Sequence, residues 1–127
     1  MKPEEALHRT VAEYLRWVKP AALWFHAPNG ARRSKAQSGI LKAMGMLAGV
    51  PDLIFVCHGG TVKFIELKAP GKYLSPEQKA FKDMVTSMGA SFALCRSVDD
   101  VAEALQSWGL VATKRAVGPC TGVRRAS

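Results

Sequence analysis

Cysteine is scarce in this 127-residue chain: Cys57, Cys95 and Cys120 are odd in number, far apart, and outside any CxxC or Cys/His cluster. That argues against a disulfide scaffold or a structural zinc site and for a reducing compartment. Long apolar runs are missing as well. Stretches such as Leu53-Ile54-Phe55-Val56-Cys57 fall far short of the ~20 residues a membrane-spanning helix needs. Met1-Lys2-Pro3-Glu4-Glu5 lacks the basic-then-apolar start of an export signal, so no membrane partner is expected. No internal repeat is visible. What remains, 48% hydrophobic and 22% charged residues, is the balance of a globular chain and excludes a disordered one. The length suits one domain with a real core and is too short for two.

Acid is the other shortage. Ten acidic residues stand against eighteen basic ones, for a net charge of +8. Between Tyr14 and Pro51 there are six basic residues (Arg16, Lys19, Arg32, Arg33, Lys35 and Lys42) and no acid. From Ala112 onward Lys114, Arg115, Arg124 and Arg125 are again unopposed. One-signed surface of this kind favours a polyanion, because each neutralised phosphate releases condensed counterions. Arg32, Arg33 and Lys35, beside the turn Ala27-Pro28-Asn29-Gly30, and Lys72, after Gly71, are the candidate phosphate contacts.

Leu7, Val11, Leu15 and Val18 recur at helical spacing, which predicts a helix over 4–18 ending at Pro20. Ala21 to His26 reads as a first strand, and 35–47 as a short helix interrupted by Gly39 and Gly45. Asp52 to Cys57 and Thr61 to Lys68 are strands joined by His58-Gly59-Gly60. Ser75-Pro76-Glu77-Gln78 opens a helix: serine as N-cap, proline next, and glutamine as capping-box partner. Ser91 to Arg96 forms another strand, and a last helix starts after Ser97 and ends near Trp108-Gly109. The fold class expected is α/β, a mixed sheet flanked by helices. The expected organisation is one domain over 1–110 and a basic, flexible tail over 111–127.

The chemistry concentrates on the hairpin. A three-residue loop pairs positions whose numbers sum to 118, which sets Asp52 directly across from Glu66 and Lys68 on the same face. A two-residue loop would send Asp52 to the other side of the sheet. Two carboxylates held together share a proton or hold a divalent cation, and a nearby ammonium can orient water or offset charge on a phosphate. Glu-x-Lys alone is what any surface ion pair shows; its weight comes from Asp52 and the basic stretch upstream. His8, His26 and His58 lack zinc-site spacing, and Trp17, Trp24 and Trp108 read as core or interface residues rather than base-stacking platforms.

Pro51-Asp52, thirteen intervening residues and Glu66-Leu67-Lys68 resemble the PD-(D/E)xK nuclease signature. Gly49-Val50-Pro51-Asp52-Leu53, Phe64-Ile65-Glu66-Leu67-Lys68 and Leu74-Ser75-Pro76-Glu77-Gln78-Lys79-Ala80-Phe81 together resemble the VRR-NUC family of virus-type replication–repair nucleases. His26-Ala27-Pro28-Asn29-Gly30 and Arg32-Arg33-Ser34 match the stretch before the signature in phage and bacterial members. The likeness spans roughly residues 4–105.

The resemblance implies a restriction-endonuclease-like core with about four strands, and Mg²⁺ or Mn²⁺ bound by Asp52, Glu66 and the carbonyl of Leu67. It implies Lys68 as the catalytic lysine and Gln78 beside the site, where that role competes with helix capping. It also implies an acid on the first helix, either Glu4 or its neighbour Glu5; Glu4 is preferred because it shares the stripe of Leu7 and Val11, with His8 standing where the family carries glutamine. The expected activity is cleavage of DNA phosphodiester bonds, on branched DNA and four-way junctions in particular, by a homodimer in the cytoplasm of a bacterial or phage-infected cell. A 5′-flap nuclease or exonuclease, a site-specific restriction enzyme and a non-catalytic nucleic-acid-binding module are the alternatives. The absence of a helix-turn-helix or zinc finger argues against sequence-specific cutting.

Overall fold

The structure is a computed structural model, and it describes residues 1–27 and 35–112, with Lys35 and Ser38 by main chain alone. Helix α1 (Pro3–Val18) has Pro3 in its first turn and Glu4 and Glu5 beside its positive end. Its inward stripe buries Val11 and Leu15 completely. It stops where Lys19 turns left-handed (φ 51°), its N–H donating to the Leu15 carbonyl at 3.0 Å, immediately before Pro20. Strand β1 (Ala22–His26) follows. Helix α2 (Lys35–Ala43) is shorter than its apolar pattern suggests, because Gly45 takes φ 101° and ends the helical path.

Strands β2 (Leu53–Cys57) and β3 (Val62–Leu67) form the predicted hairpin. The loop is three residues, His58 to Gly60, and both glycines have positive φ (85° and 84°); a side chain there would be strained. The Cys57 N–H donates to the Thr61 carbonyl at 2.8 Å, and the ladder runs Val56 to Val62, Phe55 to Lys63, Ile54 to Phe64 and Leu53 to Ile65. One more step sets Asp52 opposite Glu66. Helix α3 (Pro76–Ser87), strand β4 (Ser91–Cys95) and helix α4 (Val98–Ser107) complete the chain order.

The sheet order is β1-β2-β3-β4, with the first two pairings antiparallel and β3–β4 parallel. Alternation along the strands sends Leu53, Phe55, Ile65 and Leu67 into a core with Val11 and Leu15 of α1 and Val101 and Leu105 of α4. The opposite face of β3 carries Phe64 and Glu66 toward α3, where Phe64 meets Phe81 edge to face with centroids 5.1 Å apart. Trp108 packs against the core beside Phe55, but Trp17 is 80% exposed. It lies outside the core of the described residues, because it sits off the Leu7–Val11–Leu15 stripe. Cys95 is a packing residue: burial pushes its thiol up to about 12, with Asp100 and Glu103 adding to the effect.

Candidate active site

Asp52 leads into β2 from Pro51, which is fully buried, so the start of the strand is anchored. Its side chain is fixed from two directions. Oδ2 accepts the Leu67 main-chain N–H at 2.8 Å, and Oδ1 lies 3.4 Å from His8 Nε2 on α1. Its carbonyl accepts from the Ala27 N–H at 2.9 Å and from His26 Nδ1 at 3.0 Å. The two imidazoles meet edge to face, 5.1 Å between centroids.

Glu66 is 4% exposed, the one buried charged residue among those described. Its Oε2 accepts from Gln78 Nε2 at 2.9 Å and lies 3.7 Å from Lys68 Nζ. Its Oε1 is buried with no hydrogen-bond donor among the described residues. Burial, reinforced by the charge of Asp52, pushes the Glu66 carboxyl up to about 7, against the pull of Lys68 and the Asp52 main chain. His8 is raised as well, chiefly by its hydrogen bond to Asp52, with burial opposing.

Gln78 corrects one expectation. Helix capping and a place beside the site are expected to compete for its amide, yet Oε1 accepts the Ser75 N–H at 2.8 Å while Nε2 reaches Glu66. A primary amide has an acceptor end and a donor end, so one side chain serves both. The cap is complete, with Ser75 Oγ accepting the Gln78 N–H at 3.2 Å. The start of α3 is held close by Gly49, where a Cβ would fall 2.4 Å from the Glu77 carbonyl oxygen. Of the two first-helix acids, Glu4 turns inward, its Oε2 3.5 Å from the Ala69 N–H, while Glu5 pairs with Arg9 on the surface.

Asp52, Glu66, Lys68, Gln78 and Glu4 therefore converge at the ends of β2 and β3. Arg32 and Arg33 lie outside the described residues; Lys35 opens α2, and Lys72 is exposed on the loop after β3. His8 and His26 carried little weight in the sequence. The signal available was spacing: His8 lies one turn beyond Glu4 on the inward side of α1, and His26 stands opposite Leu53, next to Asp52. A divalent cation fits this donor set. A buried carboxylate oxygen without a donor, in a carboxyl group that feels the charge of a second carboxylate, is what a hard cation satisfies. Among the described residues no three His, Cys, Asp or Glu side chains are placed to hold one metal ion together, so the remaining ligands would be main-chain, water or substrate oxygens.

The sequence profile of the VRR-NUC domain matches residues 3–99. The chain belongs to the VRR-NUC family. Two solved structures share the fold. One, a VRR_NUC domain protein, is 23% identical, with TM-score 0.65 over 87% of this chain and 92% of that one. The other, a VRR_NUC domain, is 16% identical, with TM-score 0.58 over 85% and 99%. Comparison with curated proteins gives no match. Family membership gives this chain a nuclease-type fold with DNA as its implied substrate, and the VRR-NUC family is generally metal-dependent.

Proposed function

We propose that this chain is a metal-dependent, structure-selective endonuclease that hydrolyses DNA phosphodiester bonds, with the four-way (Holliday) junction as its substrate and a homodimer as its working form. The observation that carries the reading is the buried Glu66 carboxyl within reach of the Asp52 charge, its Oε1 without a hydrogen-bond donor among the described residues. Asp52, Glu66 and the Leu67 carbonyl would hold Mg²⁺ or Mn²⁺. Such an ion, when bound, polarises a phosphate oxygen and acidifies a coordinated water.

The protein groups divide the remaining work. Gln78 and the Leu67 N–H fix the two carboxylates by one oxygen each, leaving an oxygen of Glu66 free. Lys68, tethered to Glu66, orients an attacking water or offsets charge growing on the phosphate. Glu4 adds a carboxylate from α1. Phosphodiester hydrolysis asks for positioned charge rather than covalent help, so this small set suffices. Arg32, Arg33, Lys35, Lys72 and the basic stretch 111–127 supply phosphate contacts. A four-way junction presents two equivalent strands, and a two-fold dimer would set one site on each. The setting that suits such a protein is the cytoplasm of a bacterial or phage-infected cell.

The test is cleavage of labelled four-way junction, 5′-flap and linear duplex in Mg²⁺ or Mn²⁺, beside sedimentation at micromolar concentration. Paired symmetric cuts on the junction by a dimer are expected. Preferential flap or end cleavage by a monomer would replace this reading with the flap-nuclease or exonuclease one. Binding without cutting would leave a binding module.

A further inference from the structure

Strands β3 and β4 run parallel, so their C-terminal ends leave the sheet side by side. Leu67 stands beside Cys95 in the ladder, and the Lys68 N–H donates to the Cys95 carbonyl at 3.0 Å. Arg96, the next residue, therefore emerges alongside Lys68, one strand spacing away (~4.8 Å). The loop after Lys68 turns at Gly71 (φ 82°) and reaches Ser75, the cap of the helix whose Gln78 grips Glu66. Both ends of this loop are thus tied to the active-site carboxylate.

On the loop, Tyr73 is 74% exposed. The Arg96 guanidinium lies 5.3 Å from the Tyr73 ring centroid and donates from Nη2 to the Lys72 carbonyl at 2.6 Å. Arg96 makes no ion pair among the described residues; the nearby Asp100 carboxylate is engaged by the Arg96 main-chain N–H at 2.9 Å. Glu77 sits exposed in the first turn of α3. An outward-facing aromatic ring, backed on one side by a fixed cation and flanked by the exposed Lys72, serves no core.

We infer that Lys72, Tyr73 and Arg96 form a nucleotide platform beside the active site, on which Tyr73 stacks an unpaired base while the two cations take its phosphates. The inference rests on the nuclease reading and adds to it a preference for nucleotides unpaired next to the cut, such as those that open at the branch point of a junction. Every base has a π-face, so stacking on tyrosine or arginine tolerates any sequence, which fits a chain without a base-reading motif. Within a duplex those faces are already covered by neighbouring pairs, so the platform discriminates in favour of open strands.

The test uses the full chain in EDTA, with fluorescence anisotropy on oligothymidine, a 5′-flap with an oligothymidine arm, and blunt duplex. Tyr73→Ala is expected to weaken oligothymidine and flap binding about tenfold, the size of one lost stacking contact, and to change duplex binding less than twofold. Tyr73→Phe and Tyr73→Trp are expected to keep wild-type affinity. A melting temperature taken alongside separates loop support from contact with DNA. Wild-type flap affinity in Tyr73→Ala, or equal loss on flap and duplex, would overturn the platform. Failure of the nuclease reading shows separately, as a wild-type chain that binds these DNAs yet cuts none in Mg²⁺ or Mn²⁺.

Discussion

Glu66 is held in a position that its own charge opposes. It is buried, faces Asp52, and receives one hydrogen bond and one loose ammonium contact. Its folded carboxyl is raised from 4.5 to about 7, so the cost of ionising it in the metal-free fold appears as pH rises through that window. His8 acts in the same direction: a raised histidine contributes stability below its unfolded value of 6.5 and loses it as pH climbs through its folded value. The metal-free protein is therefore expected to melt at higher temperature near pH 5.5 than near pH 8. Glu66→Gln should stabilise it by about 1–3 kcal/mol at pH 8, with the gain shrinking toward pH 5. Scanning fluorimetry across pH in EDTA checks both; a wild-type melting temperature rising steadily from pH 5.5 to 8 would contradict them. Gln78→Ala removes two hydrogen bonds at once, leaving the Ser75 N–H without its acceptor and Glu66 Oε2 with only the loose Lys68 contact, and should cost about 1–3 kcal/mol in urea unfolding. Gln78→Glu preserves the cap's acceptor but sets a third carboxylate against Glu66, so metal binding should respond while α3 stays formed by circular dichroism.

Among the elements, the hairpin decides whether a site exists. Its register follows from a loop length that the two glycines favour, and that much was legible in His58-Gly59-Gly60. The α3 cap was legible too, since Ser-Pro-Glu-Gln is a local signal. The double use of Gln78 was not: the amide was counted as one group, and only the distance between the α3 start and β3 reveals two. The contact of His8 with Asp52 was hidden for a related reason, because it depends on how α1 lies across the sheet. Periodicity reports which stripe of a helix faces inward, not what that stripe meets at its end. Gly49 belongs with these tertiary features. Its φ of 85° and the 2.4 Å approach of a Cβ to the Glu77 oxygen predict that Gly49→Ala destabilises by roughly 2 kcal/mol or more, and that it lowers cleavage by shifting α3 and Gln78. Equal stability in urea would show that the two segments are free to separate.

For the whole molecule, charge and fold divide the work. The sheet and its helices set a few polar groups at one end of β2 and β3, whereas in the proposed function the basic stretches would bring the polyanion. Arg32→Ala with Arg33→Ala should lower affinity for every DNA form alike and reduce the slope of log affinity against log salt by about 2, measured by anisotropy from low to physiological salt. An unchanged slope would remove these arginines from the interface. The sequence of strands and helices along the chain and the fold class were readable because local signals agreed. The choice of substrate was not, since it depends on loop shape and on how two copies would meet.

The most direct measurement is nicking of a labelled four-way junction by the wild type, Glu66→Gln and Lys68→Ala, each in Mg²⁺, Mn²⁺ and EDTA, with binding followed in parallel. The account predicts cutting by the wild type with either ion, none in EDTA, and a loss of at least about a hundredfold in each variant while DNA affinity stays within a few-fold. Cleavage that persists in EDTA, or that survives both substitutions, would contradict the assignment of Asp52, Glu66 and Lys68 as the phosphodiester-cleaving site.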